Sequence, residues 1–178
     1  MMTKGLPKHY AIAAIGFGSA GAAIYMLMIN VTLAHIEAIS ALPSFDMRPF
    51  GYGPQDAKQL LDALGEVGRD YYLTRQIPLD TLYPALLAAT LVSIISWVGL
   101  RLPNSKLTRA GITFSVGAAL FDYAENLGVV VMILSWPALP NALVYTTSAA
   151  SISKACMTVA ALSTLLFLGG IWIRQPKT

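Results

Sequence analysis

Four stretches of this chain are dominated by apolar residues: about Tyr10–Ile36, Leu79–Leu100, Ile112–Trp136 and Tyr145–Ile173. A helix crossing a bilayer needs about 20 mostly apolar residues. Each stretch meets that length with some tilt to spare. The first run exceeds the roughly 7–15 residues of a signal-peptide core and is therefore read as a retained span. Between the first and second stretches the pattern changes. Pro43, Pro49, Gly51, Gly53 and Pro54 mark a loop. From Gln55 to about Gln76, Leu60, Leu64, Val67 and Tyr71 recur at steps of three and four, with Asp56, Lys58, Asp62, Glu66, Arg69 and Asp70 mostly elsewhere. That is the signature of an amphipathic helix, which Pro78 is expected to end. The expected fold class is all-α: a polytopic membrane protein with a four-transmembrane-helix bundle. A periplasmic amphipathic helix would lie between spans one and two, and residues 1–178 would form a single membrane domain.

Composition agrees with lipid as the solvent. Of 178 residues, 56% are hydrophobic and 12% charged, against roughly 25% charged in soluble domains. The net charge of +3 is small, and the basic residues do not form the patch that nucleic acid would require. They flank the apolar runs instead. Lys4 and Lys8 precede the first, Arg101, Lys106 and Arg109 lie between the second and third, and Arg174 and Lys177 follow the fourth. The positive-inside rule then places both termini and the central loop in the cytoplasm of a bacterial inner membrane. Cys156 is the only cysteine, which excludes an intrachain disulfide, and it is read as a small buried hydrophobe. No cofactor and no metal site are expected. A set drawn from His35, Asp80, Asp122 and Glu125 resembles no standard ligand spacing.

Gly16-Phe-Gly18-Ser-Ala-Gly21 matches the dinucleotide fingerprint letter for letter. The motif needs a preceding strand and a helix N-terminus aimed at a pyrophosphate. Inside an apolar helix, small residues at this spacing indicate close helix packing instead.

The candidate chemistry lies in the third and fourth stretches. Asp122, Glu125 and Asn126 stand three and four residues apart and so share one helix face, which Ser115, Ala118 and Val129 extend. A carboxylate facing hydrocarbon costs several kcal/mol, so this face requires a partner, a cavity or a proton. Lys154 shares a stripe with Thr147, Ser151 and Thr158 in the fourth stretch. At about 1.5 Å per residue, Glu125 lies about 16 Å below Trp136 and Lys154 about 14 Å below Tyr145, which makes an interhelical ion pair available. Asp122, a turn deeper, is the less obvious partner. Asn30, His35, Asp80 (as a helix cap) and Tyr83 are expected to join this polar cluster, with Arg69, Tyr71, Tyr72 and Arg75 at its rim. Catalytic candidates are Asp122, Glu125 and Lys154.

Gly65-x-x-Gly68-Arg69-x-Tyr71, Asp80-x-x-x-Pro84, Asp122-x-x-Glu125-Asn126 and Lys154 together resemble a pattern in an uncharacterised family of small bacterial four-span membrane proteins. The similarity covers Gly65 to Lys154. It implies the architecture and lends weight to those residues, without implying an activity.

Two functions follow as expectations. One is a non-enzymatic subunit or accessory protein of a larger inner-membrane complex of respiratory or photosynthetic type, with membrane lipids and other subunits as partners. The other is a membrane-embedded enzyme or binding protein for a lipid or isoprenoid-like ligand, in which Asp122, Glu125 and Lys154 supply acid–base chemistry. Transport is disfavoured, because the half of the bundle nearest Lys106 and Arg174 offers no continuous polar path.

Overall fold

A computed structural model describes residues 8–100, 102 and 105–174. Lys4, Arg101 and Lys177 lie outside the described residues. The chain is all-helical, without a strand among the described residues. Its helices are α1 (Lys8–Leu27), α2 (Leu33–Ser40), α3 (Pro54–Tyr71), α4 (Ile77–Gly99), α5 (Ser105–Leu134) and α6 (Asn141–Arg174). A π-helical turn at Met28–Thr32 joins α1 to α2, and another at Tyr72–Gln76 joins α3 to α4. Four continuous helical stretches, Lys8–Ser40, Pro54–Gly99, Lys106–Leu134 and Asn141–Arg174, are long and apolar enough to cross a membrane.

Successive long helices run antiparallel. Gly18 and Gly21 of α1 bring that helix against Thr90 and Leu86 of α4, and Tyr25 stacks on Tyr83 at 5.4 Å between ring centres. Gly18 and Gly21 of the fingerprint-like run are therefore packing residues, while Gly16 meets nothing within 4 Å. Gly111 of α5 faces both Thr164 of α6 and Ile95 of α4, and Gly128 faces Thr147. Helices α4, α5 and α6 form a mutually packed set, while among the long helices α1 packs mainly on α4. A gap is left between α1 and α6.

Two apolar clusters fill the bundle. One, at the Lys106 end, holds Leu91, Ile95, Val98, Leu102, Ala161 and Leu168. The other, at the opposite end, joins Ile36, Leu60, Leu61 and Leu64 to Val129, Met132 and Val144, with Phe45 and Tyr52 of the 41–53 loop inserted among them. The loop is thus a plug. Gly51, at φ +85°, lets it close on α6: a Cβ there would sit 2.6 Å from Ser148 Oγ. The Tyr52 N–H donates to that same hydroxyl at 2.8 Å.

The amphipathic segment departs from expectation in three ways. It breaks at Gly65 (φ 61°, ψ −171°), a backbone region open essentially to glycine only. The break frees carbonyls of the preceding turn, and Arg69 donates to Leu61 O at 2.8 Å, while its guanidinium lies over the Trp136 ring. Gly65→Ala should cost about 1–3 kcal/mol, read as a lower melting temperature by circular dichroism in mild detergent. Unchanged melting would show that the break is dispensable. Second, Pro78 does not end the helix. It stands just after the π turn at Tyr72–Gln76, inside the continuous stretch Pro54–Gly99, where the altered hydrogen-bond register accommodates a residue without an N–H. Third, the buried line is Leu64, Gly68, Tyr72, Gln76, Asp80 and Pro84, every fourth residue, and Val67 is 79% exposed. A strict step of four drifts around an α-helix of 3.6 residues per turn. The wider π turn at Tyr72–Gln76 takes up that drift and keeps Tyr72, Gln76 and Asp80 facing inward.

Candidate functional site

The polar residues meet between the two apolar clusters. On α5, Asp122, Glu125 and Asn126 are buried on one face, as their spacing requires, and Glu125 is wholly enclosed. From α6, the Lys154 ammonium forms an ion pair with Glu125 Oε2 and lies 3.4 Å from Asp122 Oδ1. Ser151 Oγ donates to Glu125 Oε1 at 2.5 Å. Lys154 thus bridges both acids, and Asp122 is its second partner instead of a bystander. From α4, Asp80 is 3% exposed. It lies on the inward line within the helix and does not act as a cap. Its carbonyl accepts from Asn126 Nδ2 at 2.9 Å, locking α4 to α5.

Sequence reasoning missed four contributors. Asp46, in a short helical turn of the plug loop, accepts the Tyr72 hydroxyl. The Asp46 and Asp80 side chains line the same cavity. No donor among the described residues reaches Asp46 Oδ1 or Asp80 Oδ2. Tyr52 brings a buried hydroxyl that has no hydrogen-bond partner among the described residues. Burial first, and the Glu125 charge second, push that hydroxyl well above the ordinary phenol range, so it stays protonated. Gln76 and Thr32 tie the two π turns together through a 2.5 Å hydrogen bond from Thr32 Oγ1 to Gln76 Oε1.

Several expected members lie elsewhere. Asn30 is exposed and its amide returns to its own helix, donating to Met26 O at 2.7 Å. The π turn before α2 changes the face on which this segment presents its side chains, and Thr32, not Asn30, points inward. His35 is exposed and packs on Tyr71, with ring centres 4.3 Å apart. Tyr72 is no rim residue: it is fully buried. Arg75 is exposed, Arg69 lies over Trp136 beyond the end of α5, and Tyr71 packs on His35 of α2. Cys156 is exposed, because two residues from Lys154 is a turn of about 200° away from the packed face. Among the described residues, no group of three or more His, Cys, Asp or Glu is arranged to hold a metal ion.

Beside the cluster lies a cavity of about 340 Å³, in the gap between α1 and α6. Asp46, Asp80, Asp122 and Lys154 form its polar wall. Met28 and Leu33 from the first helical stretch, Leu87 from α4 and Val159 from α6 form its apolar walls, and Tyr83 stands at its edge against Tyr25. Glu125 does not line it. The volume falls at the lower end of the roughly 300–1,000 Å³ of small-molecule sites.

Charge counting defines what this arrangement can do. Four carboxyls (Asp46, Asp80, Asp122 and Glu125) face one ammonium, Lys154. Carboxylates gathered in low-dielectric surroundings cannot all stay ionised, so the site holds protons or recruits a cation. No family model, curated protein or solved structure matches this chain.

Proposed function

We propose that this chain is a multi-pass membrane protein that binds an amphiphile in the cleft between α1 and α6, with its polar end against Asp122 and Asp80. The observation that carries this reading is the cavity itself: the polar cluster is not sealed by packing. A buried ion pair that only fixed helix register would need one carboxylate and no adjoining space. Here Lys154 serves two, and two further acids line open volume. Transmembrane placement rests on the four long apolar helices. The positive-inside rule puts Lys8, Lys106, Arg109 and Arg174 on the cytoplasmic side, and α3 and the plug loop on the periplasmic side of a bacterial inner membrane.

The residues divide their roles by position. Asp122 lines the cavity and is the group placed to exchange a proton with a bound molecule. Glu125 is enclosed, and with Ser151 it positions Lys154. The plug loop closes the periplasmic end, so entry is sideways, from the lipid. Ala155 lines the cavity beside Lys154. Ala155→Trp should therefore displace bound lipid, seen as loss of a copurifying species by native mass spectrometry, while helicity is kept. Equal lipid occupancy in the variant and the parent would defeat the reading.

The subunit reading draws on α1, which packs mainly on one long helix and presents Ile12, Ile15 and Phe17 outward. Four small residues of α1 and α5 argue the other way, because Gly18, Gly21, Gly111 and Gly128 are spent on contacts within the chain. A membrane partner retained through mild extraction would favour a complex, and a chain that purifies alone would remove that reading.

A further inference from the structure

The geometry points to a protonated amine on an apolar tail as the occupant of the α1–α6 cleft, an inference that rests on the amphiphile reading above. Three acids line the cavity, and the one lysine in its wall is already bound to Glu125 and Asp122. The wall is therefore short of positive charge. Asp80 is 3% exposed and its Oδ2 receives no hydrogen bond, nor does Oδ1 of the neighbouring Asp46. These oxygens are met either by a proton held on the acids or by a donor on a bound molecule, and an ammonium supplies both the charge and the N–H groups. The Tyr25–Tyr83 stack at the edge of the cavity offers aromatic faces, which a cation also favours.

Other headgroups fit less well. A carboxylate or phosphate would meet three acids and no free cation. A hydroxyl supplies one donor and leaves the charge uncompensated. A bare divalent ion lacks the arrangement of ligands it requires among the described residues. The apolar walls formed by Leu33, Leu87 and Val159 suit a chain that leaves the cavity sideways. At this volume, the site holds the head and the first part of the chain.

The test uses the full chain in a neutral detergent, with N,N-dimethyldodecylamine, 1-dodecanol and dodecanoate as chain-matched probes and n-butylamine as a tail-less one. At saturating probe, the long amine should raise the melting temperature by about 5 °C or more, with a smaller rise for the alcohol and none for dodecanoate. Asp80→Asn should remove the margin of the amine over the alcohol. Should that variant fail to fold, Asp46→Asn on the plug loop carries the same expectation. A rise with butylamine equal to that with the long amine would uphold ammonium recognition and overturn a membrane source for the ligand. Alcohol and amine acting equally would overturn ammonium recognition while leaving the amphiphile cleft standing. No shift with any probe in the parent would sink both, as would a shift in Ala155→Trp equal to the parent's, because that variant fills the cleft.

Discussion

Lys154→Met should destabilise the bundle by about 3–5 kcal/mol, the usual cost of leaving buried charge without its partner. The loss is large because one ammonium serves two acids, Glu125 by ion pair and Asp122 at 3.4 Å. Glu125→Gln should cost less, about 1–3 kcal/mol. The lysine then keeps Asp122, and the new amide can still accept from Ser151. The double change should cost less than Lys154→Met alone, because Glu125 no longer stands unpaired in a wholly enclosed position. Thermal unfolding of the four proteins in mild detergent gives the ranking. A Lys154→Met protein as stable as the parent would mean that the carboxyls are already neutral, and the charge account of the site would be wrong.

Gly128→Ala should be the most damaging single methyl addition. A Cβ there would collide with Thr147 Oγ1, and would lie 2.6 Å from its Cγ2 and 2.8 Å from its Cβ. Rotating the threonine cannot clear its own Cβ, so α5 and α6 must separate. Overpacking of this kind costs about 1–3 kcal/mol. Here it also reaches the site: Glu125 lies one turn from Gly128, and Ser151 one turn from Thr147. Stretching the 2.5 Å Ser151–Glu125 hydrogen bond should therefore accompany the loss of stability. Thr147→Ala in the same chain removes the two nearest atoms and should return part of the stability. A Gly128→Ala protein that melts with the parent would show that the helices are not in van der Waals contact at this point.

The long helices and the central triad were legible because both rest on periodicity. Hydropathy over about 20 residues marks a span, and three- and four-residue steps put Asp122, Glu125 and Asn126 on one face. Depth counting then brought Lys154 level with Glu125. What periodicity could not reach is instructive. Asp46 sits between Pro43 and Pro49, where no repeat says which way a side chain points, and only the closure of the loop on Ser148 brings it to Asp80. Tyr72 and Gln76 were misplaced or overlooked because a π turn changes the phase of the wheel, so a reading based on a uniform helix set Tyr71 inward. Asn30 and His35 were expected there from depth alone, which does not say which face of the helix a side chain takes. Both π turns adjoin the polar layer and are linked by Thr32 and Gln76. Residues near such a turn therefore resist assignment where the site is built.

The arrangement of the helices also bears on how the protein is made. Between Tyr10 and Ile36 the first stretch has no Asp, Glu, Lys or Arg, and its main long-helix partner, α4, follows about 50 residues later. At about 5–20 residues per second, that is a wait of several seconds, which a helix without charge can spend alone in lipid. Helices α5 and α6 have no such freedom. Asp122 and Glu125 of α5 meet Lys154 of α6 across the short turn at 135–140. On the membrane reading, they should leave the translocation channel as a hairpin, the lysine of one neutralising the acids of the other before either meets the bilayer.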